Sequence, residues 1–273
     1  GNILRYKHRA IALFFMLSLS VASLFTVNFI INTQMKTTEM SMRISSGADV
    51  VVYAREPLPK NITTLLDRID GIKGYCPVTY PVYAKLGDIV YWKSAYVQIY
   101  GIDPQNYSKY SYLPLFVENS AVFQNLEEEN TTVISSGLAL QLGVGIGDTV
   151  RFDIGPRTYL LRVVGILDRA PGFSFTRFPS KASGTDILIS LSTYEKFFGE
   201  VKYSRIFVSV SWLASKKQVA SEIQKLIGAD YDVQVVSIDE YIDRSREAYT
   251  ALENILSALL SFAILVVILG EFL

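Results

Sequence analysis

The sequence is poor in the residues that carry most side-chain chemistry, with one histidine, one cysteine and two tryptophans among 273 residues. His8 precedes the first long apolar run, so the rest of the chain has no imidazole for a Ser-His dyad or a zinc site. Common hydrolase and zinc chemistry is therefore disfavoured. Cys76 is alone and cannot form an internal disulfide, which leaves two readings, a small buried hydrophobe or a point of intermolecular pairing. Charge of either sign is not in excess: 26 Lys and Arg balance 26 Asp and Glu. No basic surface recommends nucleic acid as a partner. Gly143, Gly145 and Gly147 cluster, but no Lys-Ser/Thr follows them and Gly147-Asp148 leads into a β pattern. They read as a turn rather than a phosphate cradle. Glu127, Glu128 and Glu129 beside Asn130 read as a solvated loop. No catalytic residue, cofactor or metal ligand is expected.

The chain is rich in apolar residues, which make up 50% of it at a mean hydropathy of +0.27. Two uncharged runs stand out, Ala10 to Ile31 and Ile255 to Gly270. The first has 22 residues, about 33 Å of helix, enough to cross the hydrocarbon core. Arg5, Lys7 and Arg9 before it place that end in the cytoplasm and the long middle segment outside. The second run has 16 residues, about 24 Å, and is expected to be an incomplete return span belonging to a longer polypeptide. Glu271 near its inner end reads as a carboxylate reaching the interface. Within the first run, Ser18, Ala22 and Thr26 fall at intervals of four, a stripe where another helix can approach closely.

Both spans have amphipathic extensions. Ile31, Met35, Thr38 and Met42 recur at spacings of four, three and four. Ahead of the second span, Ser237 and Glu240 have capping-box spacing, followed by Ile238, Ile242, Ser245, Tyr249, Leu252 and Leu256 in a heptad seam. The two extensions read as stalk helices that pair as a rod, or as helices whose apolar faces pack beneath the ectodomain.

The predicted architecture is α+β. Residues 1–9 form a cytoplasmic flank, 10–32 the first span, 33–47 and 238–254 the stalks, and 255–273 the second span. Between the stalks, 48–83 and 203–237 each read as strand, helix and strand, giving a membrane-proximal α/β lobe with its helices on one face of a shared sheet. Residues 84–202 show short apolar-polar alternations broken by Gly-Asp, Asp-Pro and Pro-Gly, an inserted β-rich lobe. Aromatics crowd two loop-like stretches, with Tyr107, Tyr110 and Tyr112 in one and Phe173, Phe175 and Phe178 in the other. They either meet a lipid, peptide or protein partner or fill a core. Sequons at Asn61, Asn106 and Asn130 lie in the exported part, which suits a glycosylating host such as an archaeon or eukaryote.

Four stretches carry a family resemblance: ISSGLALQLGVGIGDTVRF from Ile134 to Phe152, VQIYGIDPQNY from Val97 to Tyr107, YLLRVVGIL from Tyr159 to Leu167, and NILRYKHRAIALFF from Asn2 to Phe15. In order and spacing they resemble the extracytoplasmic core domain and first membrane helix of MacB/FtsX-type ABC-transporter permeases. The resemblance implies a multi-pass cell-membrane protein, a cytoplasmic ATP-hydrolysing partner and paired permease units, with lipid around the spans. Third and fourth spans, which the family also implies, lie outside this sequence. On that reading the stalks carry ATP-driven motion outward for export or extraction of a substrate. Two alternatives share the topology, a two-span sensor with a ligand-binding ectodomain and a membrane-anchored adhesion or structural protein.

Overall fold

The computed structural model describes residues 2–86, 96–117, 121–177 and 185–272. In chain order the elements are α1 (Asn2–Ser46), β1 (Val50–Pro59), α2 (Thr63–Leu66), β2 (Ile72–Thr79), β3 (Val82–Leu86), β4 (Tyr96–Ile102), α3 (Pro104–Tyr110), α4 (Ala121–Asn125) and β5 (Thr131–Ser135). There follow α5 (Ser136–Leu142), β6 (Thr149–Ile154), β7 (Arg157–Leu167), β8 (Asp186–Ser190), α6 (Leu191–Phe198), β9 (Lys202–Val210), α7 (Lys216–Ile227), β10 (Val233–Ser237) and α8 (Ile238–Phe272). They fall into two compact units, Gly1–Ser41 with Tyr241–Leu273, and Met42–Glu240. The fold is mixed α+β, with one helical segment, Phe14–Ser46, long and apolar enough to be a candidate membrane span among the described residues.

In the first unit the bulky apolar side chains of α1 stand outward: Phe14, Leu19, Phe25 and Phe29 are about 70% exposed. A surface of that kind is stable only against lipid or protein. Ser20, Ser23 and Thr26 return their hydroxyls to the carbonyls of Met16, Leu19 and Ala22, so these polar groups demand nothing of their surroundings.

The second unit is organised by one ten-stranded sheet, β10-β1-β9-β2-β4-β3-β6-β7-β5-β8. Its first four strands are antiparallel neighbours, and β2 hands over to β4 at a single pair, Val78 opposite Ile102. β8 also runs parallel to β4, so the remaining six strands close on themselves. The expected lobe boundaries at 83/84 and 202/203 fall inside β3 and β9.

Alternation along β1 separates two cores. Val50 and Val52 face one cluster and Val51 the other, while Ile206 and Val208 part from Phe207 in the same way on β9. On the first face, α2 and α7 contribute Leu66, Val219, Ile223 and Ile227. The opposite face carries α3 with Tyr107, α4 with Phe123, and the segment holding Phe173 and Phe175. The uninterrupted Val50-Val51-Val52 run, all buried, is what a strand covered on both faces requires. The helix after β1 is also shorter than its apolar spacing suggests. Thr63 and Thr64 hydroxyls bond back to the carbonyls of Lys60 and Asn61, which competes with helix propagation.

Two glycines are needed where α1 ends. Gly47 has φ +87°, and a Cβ there would lie 2.9 Å from the Phe207 ring. Gly172 has φ +80°, and its Cβ would lie 2.3 Å from the same ring. Only glycine lets the two backbones close over Phe207.

Candidate functional site

Two clusters of polar contacts involve α1, α8 and the residues that adjoin them. The first lies in the helical unit. The Thr38 hydroxyl and the Tyr249 hydroxyl are 2.9 Å apart, and Arg246 Nη2 donates to Glu39 Oε1 at 2.9 Å. Asp243 adds a longer contact to Arg246 at 3.9 Å. These polar pairs connect α1 and α8 across about 200 residues of sequence. Of the seam residues, Ile31, Ile238 and Ile242 are buried, and Met35, Met42, Tyr249 and Leu256 are half-buried. Leu252 is 46% exposed. Past Tyr249 along the seam, Leu252 is exposed and Leu256 half-buried. Ser18, Ala22 and Thr26 are all exposed.

The second place is the edge of the sheet where β1 begins and where β9 and β10 end. Asp49, between Ala48 and the start of β1, accepts from four donors. Its Oδ1 takes the Tyr112 hydroxyl at 2.8 Å and Lys216 Nζ at 2.9 Å, and its Oδ2 takes the Val210 amide at 3.0 Å. Its carbonyl takes the Ile238 amide at 3.0 Å, at the start of α8. Lys216, the first residue of α7, also reaches Asp239 at 3.5 Å. Arg43 stacks over the Tyr112 ring, 5.4 Å from its centroid, and donates to its hydroxyl at 3.4 Å. Burial, and next the Asp49 carboxylate, push the Tyr112 phenol far above its ordinary value, so it stays a donor.

The capping box expected at Ser237 and Glu240 is corrected by this arrangement. The Ser237 hydroxyl is buried without a partner, and the first amide of α8 goes to the Asp49 carbonyl.

The aromatic stretches resolve largely into core. Tyr107 is fully buried and its hydroxyl donates to the Pro171 carbonyl at 2.8 Å, while Phe173 and Phe175 are 8% and 9% exposed. Tyr107, Phe123, Phe173, Phe207 and Tyr100 form one continuous ring cluster, with the Arg205 guanidinium over three of them. Presentation of Tyr107, Phe173 and Phe175 to a partner is thus corrected. Closing the second face of the sheet takes the apolar area that a partner would need. Tyr110 is half-buried over Gly74, where any Cβ would strike its ring at 2.2 Å. Tyr112 serves the Asp49 network, and Phe178 lies outside the described residues.

Much of the first aromatic stretch is also helix rather than loop. Asp103 accepts the Asn106 amide and Pro104 takes the first helical position, a start signal present in the sequence as Asp-Pro. Of the three sequons, Asn61 and Asn130 are exposed and Asn106 is half-buried in α3. Asn130 holds φ +57° at the turn into β5. Cys76 is fully buried, and burial raises its thiol far above the usual range, which keeps it protonated and inert. Gly143 caps α5 in the left-handed conformation, and Gly145 donates its amide to Asp148 at 2.7 Å, closing the turn into β6. Among the described residues no group of three His, Cys, Asp or Glu gathers as a metal set.

Nothing in the sequence marks Asp49, Lys216 or Arg43. Their role arises from strand order, which brings residues 49, 210 and 238 to one edge of the sheet.

Compared with curated proteins, the sequence has no match. Among solved structures it is similar to the periplasmic region of MacB from Actinobacillus actinomycetemcomitans, at 16% identity over 74% of this chain and 94% of that one, with a TM-score of 0.47. It is also similar to the extracellular domain of the noncanonic ABC-type transporter YknZ from Gram-positive bacteria, at 14% identity over 69% of this chain and 98% of that one, with a TM-score of 0.44. The family described as the MacB-like periplasmic core domain matches residues 12–226, well over half of the sequence, and the chain belongs to that family.

Proposed function

We propose that this chain is the permease subunit, or a portion of it, of a MacB/FtsX-type ABC transporter. In this reading a separate cytoplasmic ATPase moves the spans, and α1 and α8 carry that motion to the extracytoplasmic unit for export or extraction of a substrate. The chain itself does no catalysis. The family match over residues 12–226 carries the reading. The tie of α8's first amide and of Tyr112, beside the end of α1, to the one residue Asp49 supports the mechanical part.

Finer features belong to the same proposal. The run from Ile255 to Gly270 returns through the membrane, residues 48–83 with 203–237 act as a membrane-proximal lobe, and 84–202 act as an inserted one. The small stripe at Ser18, Ala22 and Thr26 packs against a further span or a second permease unit. Tyr110 and the exposed sequons Asn61 and Asn130 remain the surface candidates for partner contact and glycan.

Purification from native membranes in mild detergent, followed by mass spectrometry of what accompanies the chain, tests the reading. An ABC-type ATPase in stoichiometric amount is the expected result. A chain that carries no ATPase, or one joined to a soluble signalling module, overturns it in favour of the adhesion or sensor reading.

A further inference from the structure

We propose that Gln224 is an edge guard: its side-chain amide occupies the open edge of β10 and keeps that strand from pairing with β10 of a second copy of the chain. Every residue concerned lies within the unit Met42–Glu240, and the inference does not depend on the transport reading.

The strand order leaves this edge open. β10 is the terminal strand, and among the described residues it pairs only with β1. The six strands beyond β2 close on themselves through β4 and β8, and β2 hands over to β4. Along β10 the even positions turn toward β1: the Arg55 amide donates to the Asp232 carbonyl and the Ile238 amide to the Asp49 carbonyl, each at 3.0 Å. Alternation therefore turns the backbone groups of Val233 and Val235 away from the sheet. The strand Val-Gln-Val-Val-Ser is rich in β-branched residues, and a row of outward amides and carbonyls along it is a template for another strand. Antiparallel pairing about a two-fold axis makes one edge complementary to itself, so β10 of another molecule fits it.

Two of the outward groups are already taken by Gln224 on α7. Its Oε1 accepts the Val235 amide at 2.9 Å, and its Nε2 donates to the Val233 carbonyl at 3.2 Å. One side chain thus makes the two bonds, one received and one given, that a neighbouring strand would make there. Gln224 is otherwise exposed, and a solvated glutamine holds one such geometry only where its bonds offset the lost rotamer freedom. Gln218, on the same helix, instead spends its amide on Glu222 one turn away, at 3.0 Å. The end of α7 also leaves room for the reach to β10: Gly228 follows its last residue, and a Cβ there would lie 2.4 Å from Gln224 Nε2.

The test uses the full chain in detergent with Gln234→Cys, an exposed position on β10, treated with a short bis-maleimide and read on a denaturing gel; Cys76 is buried and does not react. With Gln224 intact the covalent dimer is a minor species, even in a chain paired through other surfaces. Gln224→Ala removes two hydrogen bonds, which raises the population with a free edge, and with it the cross-linked fraction, about tenfold. Gln224→Met fills a similar volume with neither donor nor acceptor and gives the same result; it stands in for Gln224→Ala if near-ultraviolet circular dichroism shows that variant unfolded. Adding Val235→Pro to either variant removes the outward amide that an added strand must bond, leaves the bonds to β1, and returns cross-linking to the starting level. A folded Gln224→Met protein that cross-links no more than the chain with Gln224 overturns the guard, and so does a gain that survives Val235→Pro.

Discussion

At the scale of single residues, Tyr107 shows how a side chain that looks available becomes structural. Its ring is at the centre of the aromatic cluster, and its hydroxyl satisfies the carbonyl of Pro171 inside the core. Tyr107→Phe keeps the ring and leaves that carbonyl unpaired, which is expected to cost about 1–2 kcal/mol in denaturant unfolding of the protein. Tyr100 gives a pH signature. Burial, eased by the nearby Arg205 cation, pushes its phenol from 10.0 up to about 12. Between those values the folded state keeps a proton that the unfolded state has released, so stability falls as pH rises from 10 to 12 and is insensitive to this group below 10. Tyr100→Phe should make unfolding curves collected across that window less steeply pH-dependent. An unaltered slope would mean that the buried phenol does not contribute.

At the scale of elements, α8 combines a part tied into the sheet edge, a part tied to α1, and an apolar run. Its continuity matters more than any one contact along it. Leu252→Pro removes a backbone hydrogen bond and clashes with the preceding turn, at a cost of roughly 3 kcal/mol to the helix. On the proposed transport reading, the expected outcome is a folded ectodomain whose motion no longer follows ATP turnover; coupling preserved in this variant would argue against a transmitting rod. The contacts between α1 and α8 are individually weak. Arg246 and Glu39 are 54% and 26% exposed, so a double-mutant cycle on this pair should return about 0.2–1 kcal/mol, shrinking in high salt. Pairing of the stalks would then depend on Ile31, Met35, Ile242 and Tyr249 rather than on charge.

At the scale of the whole molecule, orientation is the property that organises the rest. Arg5, Lys7 and Arg9 ahead of the first apolar run place residues 48–237 on the outer face. Expression in a glycosylating host should therefore yield a glycosidase-sensitive mass increase that Asn61→Gln and Asn130→Gln together largely remove. A protein that stays unmodified and is instead protected from external protease would reverse the topology.

Local pattern marked many elements of this protein, although α3 read as loop and α2 as a longer helix. A long uncharged run can hardly do other than form a helix, alternation marks strands, Ser215 and Asp103 sit where helices start, and the GVGIGDTV turn follows from glycine and aspartate chemistry. These signals act over a few residues and survive without knowledge of the fold. Only tertiary structure decided what lies opposite each face. The Val50-Val51-Val52 run announces burial on both sides but not that α3 and the Phe173 segment supply the second cover. The contacts gathered at Asp49 are the clearest case of the same limit. Its donors come from positions 112, 210, 216 and 238, and no local pattern encodes the strand order that brings them to one carboxylate and one carbonyl.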